Sequence, residues 1–301
     1  MKYLVTGGCG FIGSNAVDYL VNQGHTVVVI DNLSSDVHDV FYFNNKASYH
    51  HYDVLDYVMC SDVFNKHKPD VVLHFAAEAR IQNCIEDPQK AFEVNSMGTL
   101  NMLALCKKYS VKKLILSSTS AIYGNSSQQQ TESAQPDCLN PYSLSKLHAE
   151  DSCRMYSKLY AVETICLRYF NVYGPRNPSK GQYAPVIGIF KRQKNSGENL
   201  TIVGDGNQTR DFVHVLDVVK ANYYFSLSQN QYGGDVFNVG TGKSYSINDI
   251  ANKIEPDITK HMHMPARLGE CRDTKAHIKK IESALSWKPT IDLIECLDND
   301  N

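Results

Sequence analysis

Two hydrophobic periods alternate along the first half of the chain. Short apolar, β-branched runs read as strands: KYLVT from residue 2, HTVVVID from 25, SYHHYD from 48, DVVLHFAA from 70, KKLILSS from 112 and VETICLRY from 162. Between them, stretches such as FIGSNAVDYLVNQG from residue 11 and AFEVNSMGTLNMLALCKKYS from 91 carry apolar residues at helical spacing, and Gly24 stands as a stop after the first. Strands that lack polar alternation are buried on both faces, and helices between them supply the crossovers of a parallel sheet. The rhythm predicts βαβ units. It fades after residue 170, where NVYGPRNPSKGQYAP breaks it with glycine, proline and polar residues; VFNVGTG then offers one more strand and SINDIANKI another helix. The expected organisation is a dominant nucleotide-binding domain over 1–170 with a return segment at 213–241, and a smaller discontinuous region over 171–212 and 242–301.

Composition narrows the function by exclusion. A 301-residue chain with 43% apolar residues, 21% charged residues and a net charge of −2 is globular and soluble in character, with no electrostatic basis for nucleic acid or an anionic membrane surface. Small-molecule chemistry remains. Nine cysteines, an odd number without a C-x-x-C pair, fit neither a disulfide framework nor a zinc ribbon and point to a reducing, cytoplasmic compartment. The opening MKYLVTGG enters a strand at once and lacks a secretory h-region, and no apolar run reaches membrane-spanning length. His50-His51 and His261-x-His263 have no ligand partners at matching spacing, so no metal site is expected.

The first strand runs into VTGGCGFIG, which reads as G-x-x-G-x-x-G through Gly7, Gly10 and Gly13. Glycines at a strand-to-helix turn let the backbone approach a pyrophosphate, whose charge meets the amides of the helix N-terminus. Asp31 closes the second strand about 20 residues on, where a carboxylate accepts hydrogen bonds from an adenosine ribose and repels a 2′-phosphate. The order predicts an α/β, Rossmann-type doubly wound parallel sheet that binds NAD in preference to NADP. Cys9, inside the loop, is read as a small filler. NVGTGKS near residue 240 imitates a P-loop, but Phe237 stands where that motif needs its first glycine.

NPYSLSKLHAE, residues 140–150, sets Tyr142 and Lys146 one helical turn apart, and LILSSTSAIYG places Thr119 just past the fifth strand, at the edge that faces the ligand crevice. A phenol titrates near ~10, so its use as a base at neutral pH requires a cation beside it. The three residues form a coherent acid/base unit. Tyr142 exchanges the proton of a substrate hydroxyl, Thr119 relays or orients it, and Lys146 tunes the phenol while holding the cofactor ribose.

With these motifs in place the chain resembles, nearly end to end, the NAD-dependent nucleotide-sugar epimerases among the extended short-chain dehydrogenase/reductases. The resemblance is carried by TGGCGFIGS, DNL at 31–33, HFAAEAR, NSMGTLNML, SSTSAIYG, NPYSLSKLHAE, LRYFNVYGPR, GDGNQTRDFVHVLDV and PARLGE. It implies an NAD site lined by Phe11, Ile12, Asp31, Asn32, Asp53, Val54, Phe75, Ala76, Ala77, Asn95 and Phe170, and closed by Tyr142 and Lys146. It also implies that Asn171, Arg210 and Arg267 bind a nucleotide-sugar diphosphate or its surroundings, a role that suits guanidinium forks.

Within the family, 4,6-dehydratases resemble STDEVYG where this chain reads STSAIYG. Ser120 and Ala121 replace the Asp-Glu pair, and decarboxylases keep a glutamate at the second of these positions, so the resemblance favours a 4-epimerase. The alternatives are a dehydratase or decarboxylase, or a scaffold that binds without catalysis. Thr274 matches one wall of the hexose pocket, where a small residue admits N-acetylated sugars. His277, Val203 and Ser286 depart from common family residues, and the closing helix after WKPTIDLIECL is expected to be short or missing. Relatives pair through helices matching 91–109 and 143–160, which implies a homodimer.

Overall fold

Every one of the six early apolar runs forms a strand: β1 (Lys2–Thr6), β2 (Thr26–Ile30), β3 (Ser48–His50), β4 (Val71–His74), β5 (Lys113–Thr119) and β6 (Thr164–Tyr169). The late run forms β7 (Asp235–Val239). In this computed structural model, which describes residues 1–35, 40–125, 129–180 and 184–299, the seven strands make one sheet in the order β7-β6-β5-β4-β1-β2-β3. All its pairings are parallel, with Thr6 level with Ile30 on one side and His74 on the other. Of the glycine- and proline-rich stretch from 171 to 185, residues 181–183 lie outside the described residues.

Alternation within the strands explains why they read as unbroken apolar runs. Tyr3, Val5, Val27 and Val29 enter the core beneath one face, with Val17, Leu20, Phe225 and Trp287. Leu4, Val28, Ile30, Leu114 and Leu116 enter the other, against Phe64, Met102 and Leu105. A third core gathers Ile187, Phe190, Leu200, Ile202, Phe212, Ile250 and Leu297 from the later part of the chain. There a parallel pair, Leu200–Val203 with His261–Met264, packs with helices Val186–Asn195, Ile247–Ile254 and Leu293–Asn299.

One element differs from its sequence expectation. The stretch from 91 to 110 is not a continuous α-helix: a π-helical turn, Glu93–Met97, separates Pro88–Phe92 from Gly98–Lys108. The widened turn carries Asn95 and Ser96, whose side chains bond Ser145 on the neighbouring helix, at 3.0 Å to its hydroxyl and 3.0 Å to its carbonyl.

Candidate active site

The strand order reverses between β1 and β4, and a crevice opens beyond the carboxyl ends of strands at such a switch point. A cavity of about 1110 Å³ occupies it and extends over the smaller lobe. Every residue expected at the cofactor, catalytic and substrate sites lines this cavity except Asn95.

At the cofactor end, Gly7 has φ +67°, and a Cβ there would stand 2.7 Å from the Ala76 nitrogen after β4. A Cβ on Gly13 would stand 2.1 Å from the Gly7 carbonyl oxygen. Only glycine lets helix Phe11–Asn22 start this close to the sheet, and its N-cap, Gly10, offers no side-chain bond, so the first amides are open to an anion. Asp31 accepts from the amides of Cys9 (2.9 Å) and Leu33 (2.8 Å), one on each oxygen, with a lone pair on each left for a ribose hydroxyl. Asn32 donates to Asp53 at 2.7 Å, and Val54, Phe75, Ala76, Ala77, Phe11, Ile12 and Phe170 supply the apolar wall. These residues fit NAD. Burial, reinforced by Asp31, pushes the Cys9 thiol up to about 12, so it is a filler and not a nucleophile.

The candidate catalytic helix, Pro141–Tyr160, begins with proline at its first position under an Asn140 cap whose Oδ1 accepts from the Ser143 amide at 2.8 Å. One turn in, Tyr142 and Lys146 face the cavity from the same side. The Thr119 hydroxyl hydrogen-bonds the Tyr142 phenol and accepts from the Ala121 amide at 3.1 Å. Burial pushes the phenol up to about 12, against the pull of the Thr119 bond, and nearby Glu78 adds to the rise. In the fold without ligand desolvation dominates, and the carboxylate that reaches the phenol acts in the same direction. Lys146 itself is 1% exposed, and burial lowers its ammonium to about 8 while Glu150, one turn further on, partly opposes this.

Asn95 also departs from expectation. It is wholly buried, donates to the Glu78 carbonyl (2.9 Å) and the Ser145 hydroxyl (3.0 Å), and accepts from the Glu78 amide (2.9 Å). Ser145 in turn donates to the Tyr142 carbonyl at 2.9 Å. With its amide spent on protein partners, Asn95 fixes the loop after β4 against the catalytic helix.

At the substrate end, Thr274 is 6% exposed, and its hydroxyl accepts from the Asp211 amide at 3.1 Å and from Asn171 Nδ2 at 3.2 Å. Arg210 donates to the carbonyls of Thr209 (3.0 Å) and Arg272 (2.8 Å), and burial lowers its pKa. Arg267 lies 3.6 Å from Glu270 on the loop that borders the same cavity. Two guanidinium groups beside one polar-rimmed cavity suit a diphosphate.

Sequence reasoning did not single out several polar residues. Glu78 and Arg80, within HFAAEAR, line the cavity as a 3.4 Å ion pair. Positions 120 and 121 carry no carboxylate, but Glu78 reaches the cavity from a different strand end. Behind the site, fully buried Glu150 accepts from Ser118 at 2.6 Å and from Arg168 at 2.9 and 2.7 Å. Nothing local in the sequence marks either pair as joined. Among the described residues no group of three or more His, Cys, Asp or Glu side chains is arranged to hold a metal ion.

Comparison with known proteins follows the same geometry. The family model for the NAD dependent epimerase/dehydratase family matches residues 3–240. A protein of Methanocaldococcus jannaschii described as a putative UDP-glucose 4-epimerase is 38% identical over 297 residues, covering 97% of this chain and 94% of that protein. The structure of UDP-glucose 4-epimerase from Thermotoga maritima with UDP-glucose superposes with a TM-score of 0.92 at 35% identity, covering 99% of this chain and 96% of the other. That of Thermus thermophilus UDP-glucose 4-epimerase in complex with NAD gives 0.90 at 31% identity, covering 99% and 96%.

Proposed function

We propose that this chain, which belongs to the NAD dependent epimerase/dehydratase family, inverts the C4 configuration of a UDP-hexose. The reading is carried by one observation: a Thr119-bonded Tyr142 phenol and a buried Lys146 share a cavity with Arg210 and Arg267, while no carboxylate stands at 120 or 121. NAD, which Gly7, Gly10, Gly13, Asp31 and Lys146 would hold, would supply a reversible hydride acceptor beside the sugar. The chain's own residues do the rest. Tyr142 holds and returns the proton of the C4 hydroxyl, with Thr119 fixing the phenol's direction. Lys146 supplies the buried cation that favours the phenolate once sugar and cofactor exclude water. Arg210 and Arg267 would grip the diphosphate and leave the hexose free to present either face to the cofactor site.

Thr274 supports a broader substrate range. Its side chain is small and lines the cavity, as a wall that admits a C2 N-acetyl group requires. We therefore include UDP-N-acetylglucosamine and its galacto epimer with UDP-glucose and UDP-galactose. A second reading, loss of water from the sugar, draws on Glu78, a carboxylate that lines the same cavity as the phenol. Incubation with a panel of UDP- and dTDP-sugars followed by NMR separates the readings. A C4 epimer of unchanged mass supports the first, a dehydrated keto sugar the second, and an untouched panel means that the chain binds without catalysis.

A cytoplasmic homodimer and a division into 1–170 with 213–241 against 171–212 with 242–301 complete the proposal. Exposed Met155, Leu159 and Tyr160 on the catalytic helix support the dimer. Among the described residues no helix is long and apolar enough to cross a membrane.

A further inference from the structure

We propose that Asn140 is a positioning residue that latches the Arg267 loop to the start of the catalytic helix, so that the diphosphate clamp and the Tyr142 phenol keep one spacing. The inference rests on the reading of Arg267 as a diphosphate ligand. Asn140 is 6% exposed and uses both ends of its amide. Its Oδ1 caps the helix by accepting from the Ser143 amide at 2.8 Å, and its Nδ2 donates to the Gly269 carbonyl at 2.8 Å, across 129 residues of sequence. Tyr142 lies two residues after Asn140, and Arg267 lies two residues before Gly269. One side chain therefore joins the two ends of the substrate site.

The loop needs such a tie because burial does not hold it. No residue from 265 to 273 is buried, and Leu268 turns its side chain outward at 84% exposure. Its polar ties to the catalytic side instead come from Asn140, from Gln82, which donates to the Leu268 carbonyl at 3.0 Å, and, at its far end, from Asn125, whose Oδ1 accepts from the Arg272 amide at 2.8 Å. Arg267, Glu270 and Cys271 face the cavity from this loop, and the first two flank those two carbonyls. Loosening the tie enlarges the conformational freedom that the loop must surrender each time a diphosphate binds, which weakens binding without removing a contact to the ligand.

The two functions of Asn140 separate by substitution. Asn140→Ser and Asn140→Asp each retain an oxygen that caps the helix but supply no amide donor for Gly269. Gln82→Met removes the second tie away from the catalytic helix. We expect titration calorimetry with UDP to give a Kd raised about tenfold in Asn140→Ser, the effect of losing one partly buried hydrogen bond. Asn140→Asp should weaken UDP at least as much, since its carboxylate faces a carbonyl, and Gln82→Met by a smaller factor. Melting temperature should hold within a few degrees, bound NAD should be unchanged, and KM for the sugar nucleotide should rise more than kcat falls. An Asn140→Ser variant that binds UDP as tightly as wild type overturns the latch, as does one whose loss of affinity appears only together with a collapse in melting temperature. Wild-type protein that fails to bind UDP overturns the diphosphate reading and the latch with it, which tells the two failures apart.

Discussion

Replacing Lys146 with Met should make the protein more stable and catalytically inert. The lysine is 1% exposed, and its pKa falls from 10.5 to about 8 because burial disfavours the charge. At about 1.4 kcal/mol for each pH unit, holding that proton at pH 7 costs the folded state about 3 kcal/mol. Methionine fills a similar volume without the charge. Urea unfolding of cofactor-free protein should therefore show Lys146→Met more stable than wild type by up to about 3 kcal/mol at pH 7. Removal of the cofactor matters, since a ligand bound only by the folded state adds its own stabilisation. The pH dependence supplies the sharper test. Between about 8 and 10.5 the unfolded chain holds this proton while the folded chain has released it, so wild-type stability rises with pH and the gap to the variant closes. Groups common to both proteins cancel in the difference. A variant less stable than wild type at pH 7, or a gap that stays constant from pH 7 to 10.5, would refute the assignment of a costly buried cation. NMR of sugar products should meanwhile show turnover lost.

Tyr142→Phe keeps the ring and removes the oxygen; turnover should fall by ~10²- to 10⁴-fold while bound NAD is retained, as measured by NMR and by cofactor release on denaturation. Thr274→Tyr should abolish conversion of the N-acetylated sugars and leave the plain hexoses largely converted; equal loss on both would mean that this wall does not gate the pocket. Gly13→Ala forces a methyl group to within 2.1 Å of the Gly7 carbonyl oxygen, so the loop must shift, with NAD absent from the purified protein and a lowered melting temperature as the readouts. Sedimentation at micromolar concentration should give a dimer; a single species at the chain mass of 33.8 kDa would exclude it.

The sequence by itself determined what depends on near neighbours. The apolar runs became strands because, the edge strand β3 apart, they bury both faces of a sheet, and the loop that carries Gly7 and Gly13 declared itself because no other residue permits their close approaches. The placement of Asp31 at the end of β2, and of Tyr142 and Lys146 on one helix face, follows from strand length and helical pitch. Tertiary structure decided the rest. The π-turn that interrupts 91–110 answers to Ser145, about 50 residues away, and the helical period of its own segment gives no sign of it. Asn95 left the cavity for the same reason. Glu78 entered the catalytic cavity from the end of β4 and brought a charge that the residues after Thr119 do not foretell. Desolvation fixed the proton affinities: a Y-x-x-x-K spacing sets the reach between two side chains, but the depth at which the fold buries them holds the phenol near 12 and the ammonium near 8. Periodicity is a local property of the chain, whereas burial and the bonds between distant segments exist only once those segments have met.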